Sequence, residues 1–82
     1  MTSYIATFFS HYDALIFFAF LKDRNISAKL MPVPRRVSAS CGTCVGFAYQ
    51  AEPDFDFAAY EIEAVYAEGP AEFSAVWTSE HS

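Results

Sequence analysis

Apolar side chains occupy both parities of positions 4–9 (Tyr4, Ile5, Ala6, Phe8, Phe9), which predicts a strand covered on both faces and closed by Ser10. Ser10 or Asp13 can cap the helix that follows, with Ala14, Leu15, Phe18 and Leu21 as its buried stripe. Ile16, Phe17 and Phe20 widen the apolar surface beyond that stripe, and Asn25 suits the left-handed position that ends a helix. Positions 26–31 then alternate. Ile26, Ala28 and Leu30 face one way and Ser27, Lys29 and Met31 the other, a half-exposed second strand. Pro32 and Pro34 have no N–H to donate, so pairing must stop there or lie at an edge. Val45, Phe47 and Tyr49, interleaved with Gly46 and Ala48, mark a third strand. Phe55, Ala58, Ala59, Ile62, Val65 and Tyr66 recur at helical spacing. Pro53 suits a first turn, Asp54 and Asp56 favour the positive helix end, and Gly69-Pro70 stops the run, so a second helix over 53–67 is expected. Phe73, Ala75 and Trp77 alternate against Ser74, Val76 and Thr78 as the last strand.

The predicted order is βαββαβ, an α+β class whose simplest solution is ferredoxin-like. Four antiparallel strands in the order 4-1-3-2 would carry two helices on one face, in a single domain spanning 1–82 with an ordered core of about residues 3–79. That topology would gather the turn into the first helix, the loop after the second strand and the turn at 68–70 at one end of the sheet. His11 would then approach Cys41 and Cys44.

Composition narrows the class. The 82 residues are 54% hydrophobic and 18% aromatic, which excludes disorder. The longest apolar run, residues 14–21, is too short to cross a bilayer, and no basic residue precedes Lys22, so a cytoplasmic protein without membrane or signal segment is expected. A net charge of −5 argues against nucleic-acid binding. All five basic residues nevertheless lie between positions 22 and 36, a local patch suited to an anion or an acidic partner surface.

Residues 32–44 form the one long stretch without helix or strand period, and they hold both cysteines and both Arg35 and Arg36. Cys41-Gly42-Thr43-Cys44 is a C-x-x-C. Two cysteines exclude a four-cysteine zinc site within one chain. Fully extended, the pair would stand roughly 10 Å apart, too far for a disulfide, whereas a turn through Gly42 would bring the Cα atoms within about 7 Å. Arg35 and Arg36 would favour a thiolate if the loop folds back, and His11 could assist. Cys41, between Ser40 and Gly42 in a polar loop, is the expected reactive thiol, and Cys44, opening an apolar strand, should be slowed by burial. His81 is assigned no role. No phosphate loop, catalytic triad or paired-carboxylate pattern is present.

Residues 4–8 with Ser10 and Asp13-Ala14-Leu15, then Lys29 to Arg35 with its Pro-Val-Pro-Arg segment, then Val37-Ser38-Ala39-Ser40-Cys41-Gly42, resemble the selenium/sulfur (Se/S) carrier protein-like family of small bacterial domains. The likeness implies a Cys41 that holds sulfur or selenium as a persulfide-type group. Partners would be the donor and acceptor proteins, with no separate cofactor. Where the family tends to carry charges along the first helix, this chain has Ile16-Phe17-Phe18-Ala19-Phe20, so a homodimer through Ile16, Phe17 and Phe20 is expected.

The leading expectation is a carrier or thiol relay rather than a stand-alone enzyme. Cys41 would be the acceptor and Cys44 the resolving thiol, with Arg35, Arg36, Ser40, Gly42 and His11 holding the anion or partner. A soft-metal chaperone using both thiolates for an ion such as Cu(I) is the alternative, as is an assembly module working through the apolar helix.

Overall fold

In the computed structural model, which describes residues 1–50 and 53–79, the chain forms five strands, one α-helix and one 3-10 turn. They are β1 (Thr2–Phe8), α1 (His11–Asp23), β2 (Ala28–Pro32), β3 (Thr43–Tyr49), the 3-10 turn Phe57–Tyr60, β4 (Ile62–Glu68) and β5 (Phe73–Thr78). One antiparallel sheet runs β2-β3-β1-β4-β5. β1 lies at its centre because both of its faces are apolar, and Tyr4 through Phe8 are all buried. Tyr4, Ala6 and Phe8 join the core under α1, while Ile5 belongs to a second cluster on the opposite face.

The expected second helix is absent. Within 53–67 the chain makes only the short turn at 57–60, capped by Asp56 accepting from the Ala59 N–H at 3.3 Å, and then enters β4. Glu61 breaks the two apart at φ 57°. Helical spacing is real in this stretch, but Ile62, Val65 and Tyr66 favour strands, and the free edge of β1 requires a hydrogen-bonding partner. Tertiary pairing overrides local helix preference here.

The architecture therefore has one helix and five strands, in place of two helices and four strands. Adjacency of the first and third strands holds, as does the split β1-α1-β2 unit with β3 between its strands. β4 takes the position beside β1 expected for the 73–77 strand, which instead forms the outer edge as β5. Phe55, Phe57 and Tyr60 in the connection to β4 pack on the helix-side core, where a second helix would have lain. β1 and β4 are antiparallel, with Phe8 opposite Ile62 and Tyr4 opposite Ala67, so the turn after Glu68 falls at the end remote from the cysteines. The expected gathering of that turn with the loop at the cysteine end is thereby overturned, and only the Pro34–Arg36 part of the loop reaches the turn.

Ser10 caps α1 in extended backbone, its Oγ accepting from the Asp13 N–H at 3.3 Å. Asn25 adopts the left-handed conformation at φ 59°, as its sequence position implies. The buried stripe is Ala14, Phe17 and Leu21: Ala14 and Leu21 are buried as expected, Phe17 stands in for the half-buried Phe18, and Leu15 and Ile16 are each 41% exposed. Phe17 is core and not interface. Its ring meets Phe8 at 5.8 Å, Phe47 at 5.9 Å and Tyr60 at 5.5 Å. Phe20 is half-buried against Tyr60 at 4.7 Å.

No helix among the described residues is long and apolar enough to cross a membrane. Residues 33–42 form a strap over the face opposite α1. Its neck is closed by the Val33 N–H donating to Gly42 O at 3.1 Å. Val37, buried, seals Ile5 and Cys44 beneath it.

Candidate functional site

Three elements meet at the end of the sheet where β1 stops and β3 starts. α1 contributes His11 from its first turn, the strap delivers residues 40–42 into Thr43 at the start of β3, and β4 contributes Glu63. Thr7 pairs with Ala64 and Phe8 with Ile62, leaving Glu63 as the extra residue of a bulge. Its carboxylate accepts from the Ser40 N–H at 3.0 Å and from the Ser40 hydroxyl at 2.6 Å. His11 Nδ1 lies 3.1 Å from Thr43 Oγ1, so the helix start touches one of the two residues between the cysteines.

Cys41 is half-buried, and its Sγ accepts from the Thr43 N–H at 3.4 Å. Its S–H donates to the Thr43 carbonyl at 3.7 Å, so one residue offers the sulfur both a donor and an acceptor. Gly42 beside it is open, since a Cβ built on it would meet nothing within 4 Å.

Cys44 differs in its burial. It is 0% exposed, packed with Ile5 and Val37, and its S–H donates to Pro32 O at 3.7 Å. Burial, and secondarily the negative charge of a Cys41 thiolate, push its pKa up to about 11. Both cysteines are free. One thiol is therefore presented and the other is sequestered as the neutral form.

The arginines go elsewhere. The strap carries Arg36 across the open face, and its guanidinium donates to Ala71 O in the β4–β5 turn. The register places that turn beyond Tyr4, whereas Cys44 lies opposite Thr7, a separation of at least about 10 Å along β1. Arg35 is exposed and, with Arg36 and residues 68–73, lines a cleft of about 380 Å³. Ile16 stays on the surface of α1 beside Tyr12 and Leu15, Phe17 and Phe20 face inward, and His81 lies outside the described residues. Among the described residues no three His, Cys, Asp or Glu side chains come together as a metal site would require.

Sequence reasoning missed Glu63 and Val37. Glu63 was hidden by the helical reading of 53–67, although Ile62, Ala64 and Tyr66 also alternate and would have put Glu63 on a strand. Val37 carries no periodic signal within the strap.

A small α+β domain that presents one thiol on a loop and shelters a second beneath it is the class defined by this geometry. The chain belongs to the family described as "Putative Se/S carrier protein-like", whose model matches residues 3–68. The match takes in β1 to β4, the whole strap and both cysteines, and leaves out β5. No curated protein and no solved structure matches the chain.

Proposed function

We propose that this domain carries sulfur or selenium as a persulfide-type group on Cys41. The observation that carries the reading is the contrast between the two thiols within the matched family segment, Cys41 half-buried on a backbone N–H and Cys44 fully buried. In loading, the Cys41 thiolate attacks the outer sulfur of a donor persulfide. One S–S bond forms as the donor's breaks, the donor cysteine leaves as a thiolate, and the proton stays on the transferred sulfur. The Thr43 N–H would hold the Cys41 thiolate before it attacks, and would steady the charge that returns to Cys41 when it leaves during unloading.

Unloading follows one of two routes. An acceptor nucleophile can take the outer sulfur and leave Cys41 as thiolate. Alternatively Cys44, once ionised, can attack the inner sulfur, expel hydrosulfide and leave a Cys41–Cys44 disulfide, which a dithiol must reduce with two electrons. A Cys44 pKa near 11 disfavours the second route at neutral pH. The cargo is thus protected from premature release by the neighbouring thiol. Donor and acceptor proteins would dock at the open end around His11, Gly42 and Thr43, where the exposed Tyr12, Leu15 and Ile16 of α1 adjoin the site.

Intact mass after incubation with cysteine persulfide tests this. Wild type and Cys44→Ser should gain one sulfur atom that dithiothreitol removes, and Cys41→Ser should gain none. A wild type that takes up no sulfur, or a Cys41→Ser variant that does, contradicts the reading. Two-coordinate Cu(I) bound by anaerobically purified protein would favour the chaperone alternative.

A further inference from the structure

At the cysteine end of the sheet, both carboxylate oxygens of Glu63 are engaged by the segment entering Cys41. The bulge lifts it out of the regular ladder, and the Ser79 N–H donates to its carbonyl at 2.8 Å, fixing its backbone from the β5 side. Ser40, which it grips by backbone and side chain together, immediately precedes Cys41. Two bonds to one ionised acceptor fix both position and orientation.

We infer that Glu63 is the positioning residue of the thiol site: its clasp on Ser40 holds residues 41–43 in the turn that lays the Thr43 N–H on the Cys41 sulfur. The inference rests on the reading of Cys41 as the reacting thiol. A carboxylate near a thiolate is electrostatically unhelpful, since like charges disfavour ionisation. That opposition makes the role testable by sign. Charge alone predicts that neutralising Glu63 quickens Cys41 at neutral pH. Loss of the clasp predicts the reverse, because the sulfur loses its N–H donor.

The experiment measures iodoacetamide alkylation of Cys41 from pH 6 to pH 10 in the full chain, with Cys44→Ser as background so that one thiol is read. Glu63→Gln and Glu63→Ala should slow alkylation at neutral pH about three- to tenfold, the size of one ordinary hydrogen bond, and move the midpoint of the pH–rate curve upward. Ser40→Ala, a loop substitution that spares β4, should lie between these and the parent. Unchanged or faster alkylation, with the midpoint unmoved or lowered, in Glu63→Gln and Ser40→Ala overturns the clasp. Sulfur uptake by the parent is scored separately. A parent with the expected Glu63 dependence that takes no sulfur sinks the carrier reading and leaves the clasp standing, and uptake without Glu63 dependence does the opposite.

Discussion

Raising the pH from 7 to 11 should weaken the fold through Cys44, and the size of the effect can be worked from its burial. The thiol is 0% exposed, and its pKa rises from an ordinary 9.0 to about 11. A pKa raised in the folded state contributes stability that is complete below pH 9, where folded and unfolded chains both hold the proton. Between pH 9 and 11 the unfolded chain ionises while the folded chain does not, and the contribution drains away. That rise in pKa corresponds to about 2–3 kcal/mol. A chain of this length has about 4–12 kcal/mol in total, so the loss is substantial. Urea unfolding followed by Trp77 fluorescence, in reductant, measures it. Tyrosines and lysines titrate in the same range, so Cys44→Ala is the reference and only the gap between the two proteins is read. The gap should stay constant to about pH 8.5 and shift by about 2–3 kcal/mol against the wild type by pH 11. A gap that stays flat to pH 11, or moves in the wild type's favour, would show that Cys44 is not sealed under Val37.

Phe17→Ala should cost about 3–5 kcal/mol in equilibrium unfolding and Ile16→Ala less than about 1, given their burial; equal losses would contradict the observed phase of α1. Among the glycines, a Cβ at Gly69 would stand 2.9 Å from the backbone oxygen of Glu72, whereas one at Gly46 would stand as close only to the sulfur of the flexible Met31 side chain, with Lys29 in ordinary contact at 3.9 Å. Thermal melts of the alanine variants should therefore rank Gly69 as clearly worst, at about 1–3 kcal/mol, with Gly46 and Gly42 near neutral, and a reversed rank would refute the packing. If the exposed Tyr12, Leu15 and Ile16 drive self-association, Leu15→Glu combined with Ile16→Glu should lower the sedimentation mass without altering the circular dichroism, and a wild type that is already monomeric at high concentration disproves it.

Strands β1, β2 and β3, the Ser10 cap and the Asn25 stop were legible because each has a local cause, whether alternation, a capping side chain or a left-handed turn. β4 was not, since what decides it is the unpaired edge of β1, some 55 residues earlier in the chain. In α1 the burial of Ala14 and Leu21 was legible, but that of Phe17 was missed for a related reason. Leu15 and Phe17 are equally apolar, and only the aromatic group formed by Phe8, Phe47 and Tyr60 decides which of them is buried. At the site, the contrast between Cys41 and Cys44 could be read from flanking residues. Glu63 could not, because its value depends on a bulge between two strands, and neither could the reach of Arg36 to Ala71, which depends on the course of the strap.

Limited alkylation at pH 7 with peptide mass mapping tests the division of labour between the thiols most directly. Relative to the unfolded chain, Cys44 should react at least about tenfold more slowly, since its thiolate is about a hundredfold scarcer at neutral pH and only part of that is offset by its greater nucleophilicity, while Cys41 reacts at the unfolded rate or faster. Comparable labelling of both thiols, or labelling of Cys44 first, would contradict it.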